Sequence, residues 1–80
     1  MCKDVIFDEQ LFGSRIKEYR IKYGLSQQQL GDIVGLSKQA INNIEKARKQ
    51  TTITKAILIA RHFDTTVEYL CGASDDPKRY

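Results

Sequence analysis

Lys38, Gln39, Asn42, Asn43 and Lys46 are spaced so that, at 100° per residue, they gather on one side of a helix, while Ala40, Ile41 and Ile44 fall on the other. A carboxamide carries a donor and an acceptor in one plane, matching N6 and N7 of adenine, and a lysine ammonium suits O6 and N7 of guanine. The available chemistry is therefore hydrogen bonding to base edges by Lys38, Gln39, Asn42 and Asn43, backed by an apolar face that packs. Gln39 and Asn43 lie centrally on the polar side and rank first; phosphate contact is the alternative role for Lys38 and Asn42. No acid–base pair, nucleophile–histidine set or phosphate-binding glycine loop accompanies these residues, so no catalytic residue is assigned and an enzyme is not expected.

Amides on an isolated helix would simply be solvated; what gives this face a partner is the segment that carries it. Ser26 to Glu45 reads SQQQLGDIVGLSKQAINNIE. Ser26 followed by Gln29 is a capping-box pattern, which predicts a helix beginning at Gln27. Gly35 follows Val34 where a left-handed residue ends a helix at no steric cost. Ser37 caps the next helix, so that only Gly35, Leu36 and Ser37 separate the two and the second leaves at a steep angle. Leu30, Val34, Leu36, Ile41 and Ile44 supply apolar packing, and Gly31 is small where the helices approach most closely. This is the grammar of a DNA-reading helix-turn-helix.

The unit resembles the phage repressor and Cro type of helix-turn-helix, also called the xenobiotic-response-element family. The preceding FGSRIKEYRIKYGLSQ is similar to the family's first helix, and TTITKAILIARHFDTTVEYLCG to its last two, so the resemblance covers roughly residues 12 to 72. It implies an all-α fold: a compact five-helix lambda-repressor-like DNA-binding domain with a central helix-turn-helix. It also implies that Gln39 and Asn43 occupy base-reading positions, that Gln27 contacts the DNA backbone, and that Arg20 and Glu45 form a structural ion pair. Lys46, Arg48 and Lys49, with Gln50 and Thr51 as weaker members, extend the phosphate contact into the following loop. Relatives pair on near-palindromic sites, which makes a homodimer the expected assembly, with Leu58, Val67, Tyr69 and Leu70 as candidate contacts. The chain departs from the family in having Tyr19 for leucine, and Ala47 and Asp64 for glycine.

The remaining elements follow from caps and periodicity. Asp8 starts a helix to about Tyr23 with Phe12, Ile16, Tyr19 and Tyr23 along one side, ended by Gly24; Thr52 starts another over Ile53 to Phe63, with Ile53, Ala56, Ile57, Ile59, Ala60 and Phe63 as a broad apolar arc; Thr66 starts a short last one through Cys71, stopped by Gly72. The expected organisation is an N-terminal arm over 1–8, the DNA-binding domain over 9–72 and a polar tail over 73–80.

Eighty residues suit one small domain. The net charge of +3 is uneven: residues 36–60 hold Lys38, Lys46, Arg48, Lys49 and Lys55 against Glu45 alone. Standing by itself, such a run fits an ordinary solvated face; beside a reading helix it marks where phosphates would lie. The longest apolar stretch, Ala56 to Ala60, is too short to cross a bilayer, so a cytoplasmic protein without membrane attachment is expected. Cys2 and Cys71 lack a CxxC pair or a histidine at ligand spacing, which argues against zinc, and no cofactor is expected; a disulfide between them is open to the sequence but runs against a reducing compartment. His62 fits a helix surface. The expected partner is double-stranded DNA, and the expected function is sequence-specific transcriptional control, in the first instance repression. Two alternatives stand beside it: an antitoxin that binds its own promoter and a protein partner, and a protein-interaction module on the same fold.

Overall fold

The computed structural model describes residues 7–76. They form five helices: α1 (Glu9–Lys22), α2 (Gln27–Val34), α3 (Lys38–Glu45), α4 (Ile53–His62) and α5 (Val67–Leu70), with no strand among the described residues. Every start is set by a side chain that satisfies an otherwise unpaired amide. Asp8 accepts from Leu11 N, Ser26 from Gln29 N, Ser37 from Ala40 N, Thr52 from Lys55 N and Thr66 from Tyr69 N. Each cap contributes about 1 kcal/mol. At Ser26 the bond is reciprocated, Gln29 Oε1 accepting from Ser26 N at 2.8 Å.

Between α2 and α3 the chain turns at Gly35, φ 76°, which lets its amide donate back to Gly31 O. Two residues other than glycine take the same left-handed conformation, Ala47 at φ 57° and Asp64 at φ 55°. Asp tolerates this region; for Ala it costs roughly 1–2 kcal/mol, partly offset by the smaller backbone entropy of its unfolded state. Ala47→Gly is therefore expected to stabilise the fold by about 0.5–1 kcal/mol, read as a rise of a few degrees in Tm. A fall in Tm would show that the turn is held by something other than local backbone preference.

α3 packs on α1 and α2, α4 on α2 and α5, and α5 on α1. At the centre, Ile16, Leu30, Ile41, Ile59, Phe63 and Leu70 are all but fully buried, each such side chain contributing on the order of 1.5–3 kcal/mol. The α1–α3 crossing is close because α1 offers Gly13 there. A Cβ at Gly13 would overlap the Ile44 carbonyl oxygen and come within 2.7 Å of that of Glu45. Gly31 serves α2 in the same way, its missing Cβ leaving room for the Leu36 carbonyl.

The apolar arc of α4 is wider than the face it buries. Ala56, Ile59, Ala60 and Phe63 are in the core, whereas Ile53 is 66% exposed and Ile57 39%. Leu70 corrects a second expectation: it is fully buried, because α5 lies across α1 and α4, so it cannot serve a dimer surface. Tyr19 fills the space of a leucine by stacking on Phe63, with ring centroids 5.3 Å apart, and standing edge-on to Tyr69. Cys71 is buried, its thiol donating to Glu68 O at 3.6 Å. Cys2, residues 1–6 of the expected arm and residues 77–80 of the expected tail lie outside the described residues.

Candidate nucleic-acid interface

The side of α3 opposite Ile41 and Ile44 is open. Lys38 and Gln39 are exposed in its first turn, and Asn42 and Asn43 are half-buried one turn on. Gln39 Nε2 donates to Asn43 Oδ1 at 3.3 Å, so the two ranked amides form one hydrogen-bonded pair. The loop after α3 folds back beside them: Arg48 N donates to Asn43 O at 2.8 Å, and Lys49 N points at the same carbonyl at 3.4 Å. The result is a groove of about 420 Å³ whose lining includes Gln39, Asn43, Lys49, Gln50 and Thr51. Five of the residues expected from the sequence thus share one concave surface. Lys38, Lys46 and Arg48, all exposed, lie outside that groove.

Gln27 and Asn42 meet on another part of the site, in an arrangement that the sequence did not reveal. Arg20 Nε and Nη2 grip Glu45 Oε2 and Oε1 at 2.6 and 3.1 Å, a bidentate pair, with Arg20 Nη1 also donating to Leu25 O at 2.9 Å. The two side chains are 12% and 2% exposed. The pair expected from the family is therefore present, and it ties α1 to the end of α3. Glu45 Oε1 also accepts from Gln27 Nε2 at 3.2 Å, and Gln27 Oε1 accepts from Asn42 Nδ2 at 3.5 Å. The first residue of α2, expected to face phosphate, is thus held through a side-chain hydrogen bond to a buried carboxylate.

Lys55 has a role that its place in the basic run concealed. Its Nζ donates to Val34 O at 2.8 Å, placing a cation on the C-terminal carbonyls of α2, where the helix dipole favours it. Only its spacing from the turn could have hinted at this, and spacing alone does not distinguish a cap from a solvated lysine. Of the candidate dimer residues, Leu58 is 40% exposed; Val67 is partly buried against the core. Tyr69 is engaged within the chain, its ring 4.0 Å beneath the Arg15 guanidinium and its carbonyl accepting from Arg15 Nη1. Among the described residues no group of His, Cys, Asp and Glu could hold a metal ion, and no helix is long and apolar enough to cross a membrane.

Comparisons with known proteins fit this geometry. The family model described as Helix-turn-helix matches residues 16–70. An uncharacterised HTH-type transcriptional regulator of Archaeoglobus fulgidus is 37% identical over 63 residues, covering 79% of this chain and 90% of its own length. The uncharacterised HTH-type regulator YobD of Bacillus subtilis is 28% identical over 67 residues, 84% of this chain, but this match spans only 60% of YobD. Among solved structures, the P22 c2 repressor, crystallised with a synthetic operator, superposes with a TM-score of 0.75 at 28% identity, covering 81% of this chain and 98% of the repressor chain. With the capped helix pair, the turn at Gly35 and the open α3 face already established, these matches settle the relationship: the chain belongs to the helix-turn-helix family of phage repressor-like transcriptional regulators.

Proposed function

We propose that this protein binds double-stranded DNA sequence-specifically through α3 and represses transcription in the cytoplasm by occupying a near-palindromic operator as a homodimer. The observation that carries the reading is the hydrogen-bonded Gln39–Asn43 pair standing open beside the basic loop. A recognition helix offers its N-terminal residues to the major groove, which assigns base edges to Lys38, Gln39, Asn42 and Asn43. Gln27, Lys46, Arg48, Lys49, Gln50 and Thr51 then flank the duplex and fix its register through phosphates. The likeness to the P22 c2 repressor, which was solved in complex with a synthetic operator, supports the DNA-binding reading.

Salt dependence tests the electrostatic half. Log K should fall linearly with log salt at roughly −0.9 per phosphate contacted, and Lys49→Ala should make the slope shallower by about one unit while weakening all duplexes alike. An affinity indifferent to salt would contradict the proposal. The homodimer rests on reach and on spare apolar area: one α3 spans too few bases for selectivity, and Leu58 and Ile57 of α4 are exposed. Sedimentation giving only monomer, both free and on a paired half-site duplex, would remove it.

A further inference from the structure

We infer that Asn42 presents its carbonyl oxygen to the duplex and thereby selects adenine or cytosine at the base it faces, an inference that rests on the DNA-binding reading above. The buried carboxylate sets the polarity of the amides outside it. A carboxylate only accepts hydrogen bonds, so the end of the Gln27 amide that lies 3.2 Å from Glu45 Oε1 is its nitrogen. Glu45 is not free to turn, because it is 2% exposed and gripped at both oxygens by Arg20. With Nε2 committed to Glu45, Gln27 turns Oε1 toward Asn42, and Asn42 answers with Nδ2 at 3.5 Å. That fixes which way round the Asn42 amide sits: Oδ1, an acceptor, lies on the side away from Gln27, with the second Nδ2 hydrogen beside it.

An acceptor in the major groove needs a donor, and the base edges offer two: N6 of adenine and N4 of cytosine. Guanine O6 and N7 and thymine O4 accept only. A phosphate oxygen also only accepts, so a contact made through Oδ1 goes to a base and not to the backbone. Gln39 and Asn43 differ in this respect. Their mutual bond at 3.3 Å has no charged anchor, so both amides can turn together to suit the base. Glu45 and Gln27 are positioning residues for Asn42; Asn42 is the specificity residue.

Selection of bound sequences from a random duplex pool, run in parallel with the wild-type chain, Asn42→Ala and Asn42→Asp, tests this. The wild-type consensus should contain a position that prefers adenine or cytosine on the contacted strand by on the order of tenfold, a preference that Asn42→Ala reduces to about twofold or less with the rest of the consensus kept. Asn42→Asp should retain that preference, because it keeps the acceptor, while lowering affinity for every duplex. A consensus unchanged at every position in Asn42→Ala overturns the inference and leaves DNA reading intact. So does a position relaxed by Asn42→Ala at which the wild type prefers guanine or thymine. Failure of the wild-type chain to enrich any sequence overturns the DNA-binding reading itself, and this inference with it.

Discussion

Replacing Gln39 and Asn43 together by alanine is expected to abolish discrimination between a selected site and random duplex while leaving the fold unchanged. Each well-made amide–base pair discriminates by about 1–3 kcal/mol, so the double variant should lose between about 30-fold and about 20,000-fold in the ratio of specific to non-specific affinity. The lower end is the better expectation for the double variant, because the two side chains share a hydrogen bond and act as a unit, so the losses of the single variants sum to more than the loss of the double. Non-specific binding should persist, since the exposed Lys46, Arg48 and Lys49 are untouched. Helicity and Tm should hold within the range of ordinary surface changes, about 0.5 kcal/mol. Measuring both affinities by competition at fixed salt, with circular dichroism on the same samples, separates the outcomes. Undiminished selectivity would move base reading elsewhere.

Glu45→Ala is expected to act on stability before it acts on DNA. It strips the Arg20 guanidinium, whose side chain is 12% exposed, of two of its three hydrogen bonds and leaves the cation at the α1–α3 contact. Removing one member of such a buried pair costs about 3–5 kcal/mol, a large share of the 5–15 kcal/mol typical of a whole domain. Denaturant unfolding should show the midpoint falling far below that of the wild-type chain with the m-value kept. Glu45→Gln, which retains an acceptor for Arg20, should lose less. A loss under about 1 kcal/mol for Glu45→Ala would mean that the pair behaves like an exposed salt bridge.

The helices were legible because their starts and stops are local. Asp8, Ser26, Ser37, Thr52 and Thr66 each cap an amide a few residues away, and Gly35 or Asp64 ends a turn through its own backbone. The open amide face of α3 was legible for the same reason, since periodicity assigns residues to sides of a single helix. What periodicity cannot assign is the body that each side meets. Ile53 and Ile57 continue the apolar arc of α4, yet α4 packs on α2 and α5 over a narrower strip and leaves them out. Leu70 sits on a helix of four residues, too short for a pattern to show which side is buried. Gly13 looks like any glycine until α3 lays its carbonyls against it. The relay from Arg20 through Glu45 and Gln27 to Asn42 draws on three helices and the joint between α1 and α2, and no spacing within one segment announces it.

On the proposed reading, the amide-bearing side of α3, with the loop that follows it, is the surface that enters the duplex. Two-dimensional NMR of the nitrogen-labelled full chain, titrated with a duplex recovered by selection, reads this directly. The side-chain amide signals of Gln39 and Asn43 and the backbone signals of α3 and Lys49 to Thr51 should move together on binding, while those of Lys17 and Ile21 on the outer face of α1 stay in place. Movement confined to α1 and α5, with the α3 amides unchanged at saturation, would contradict it.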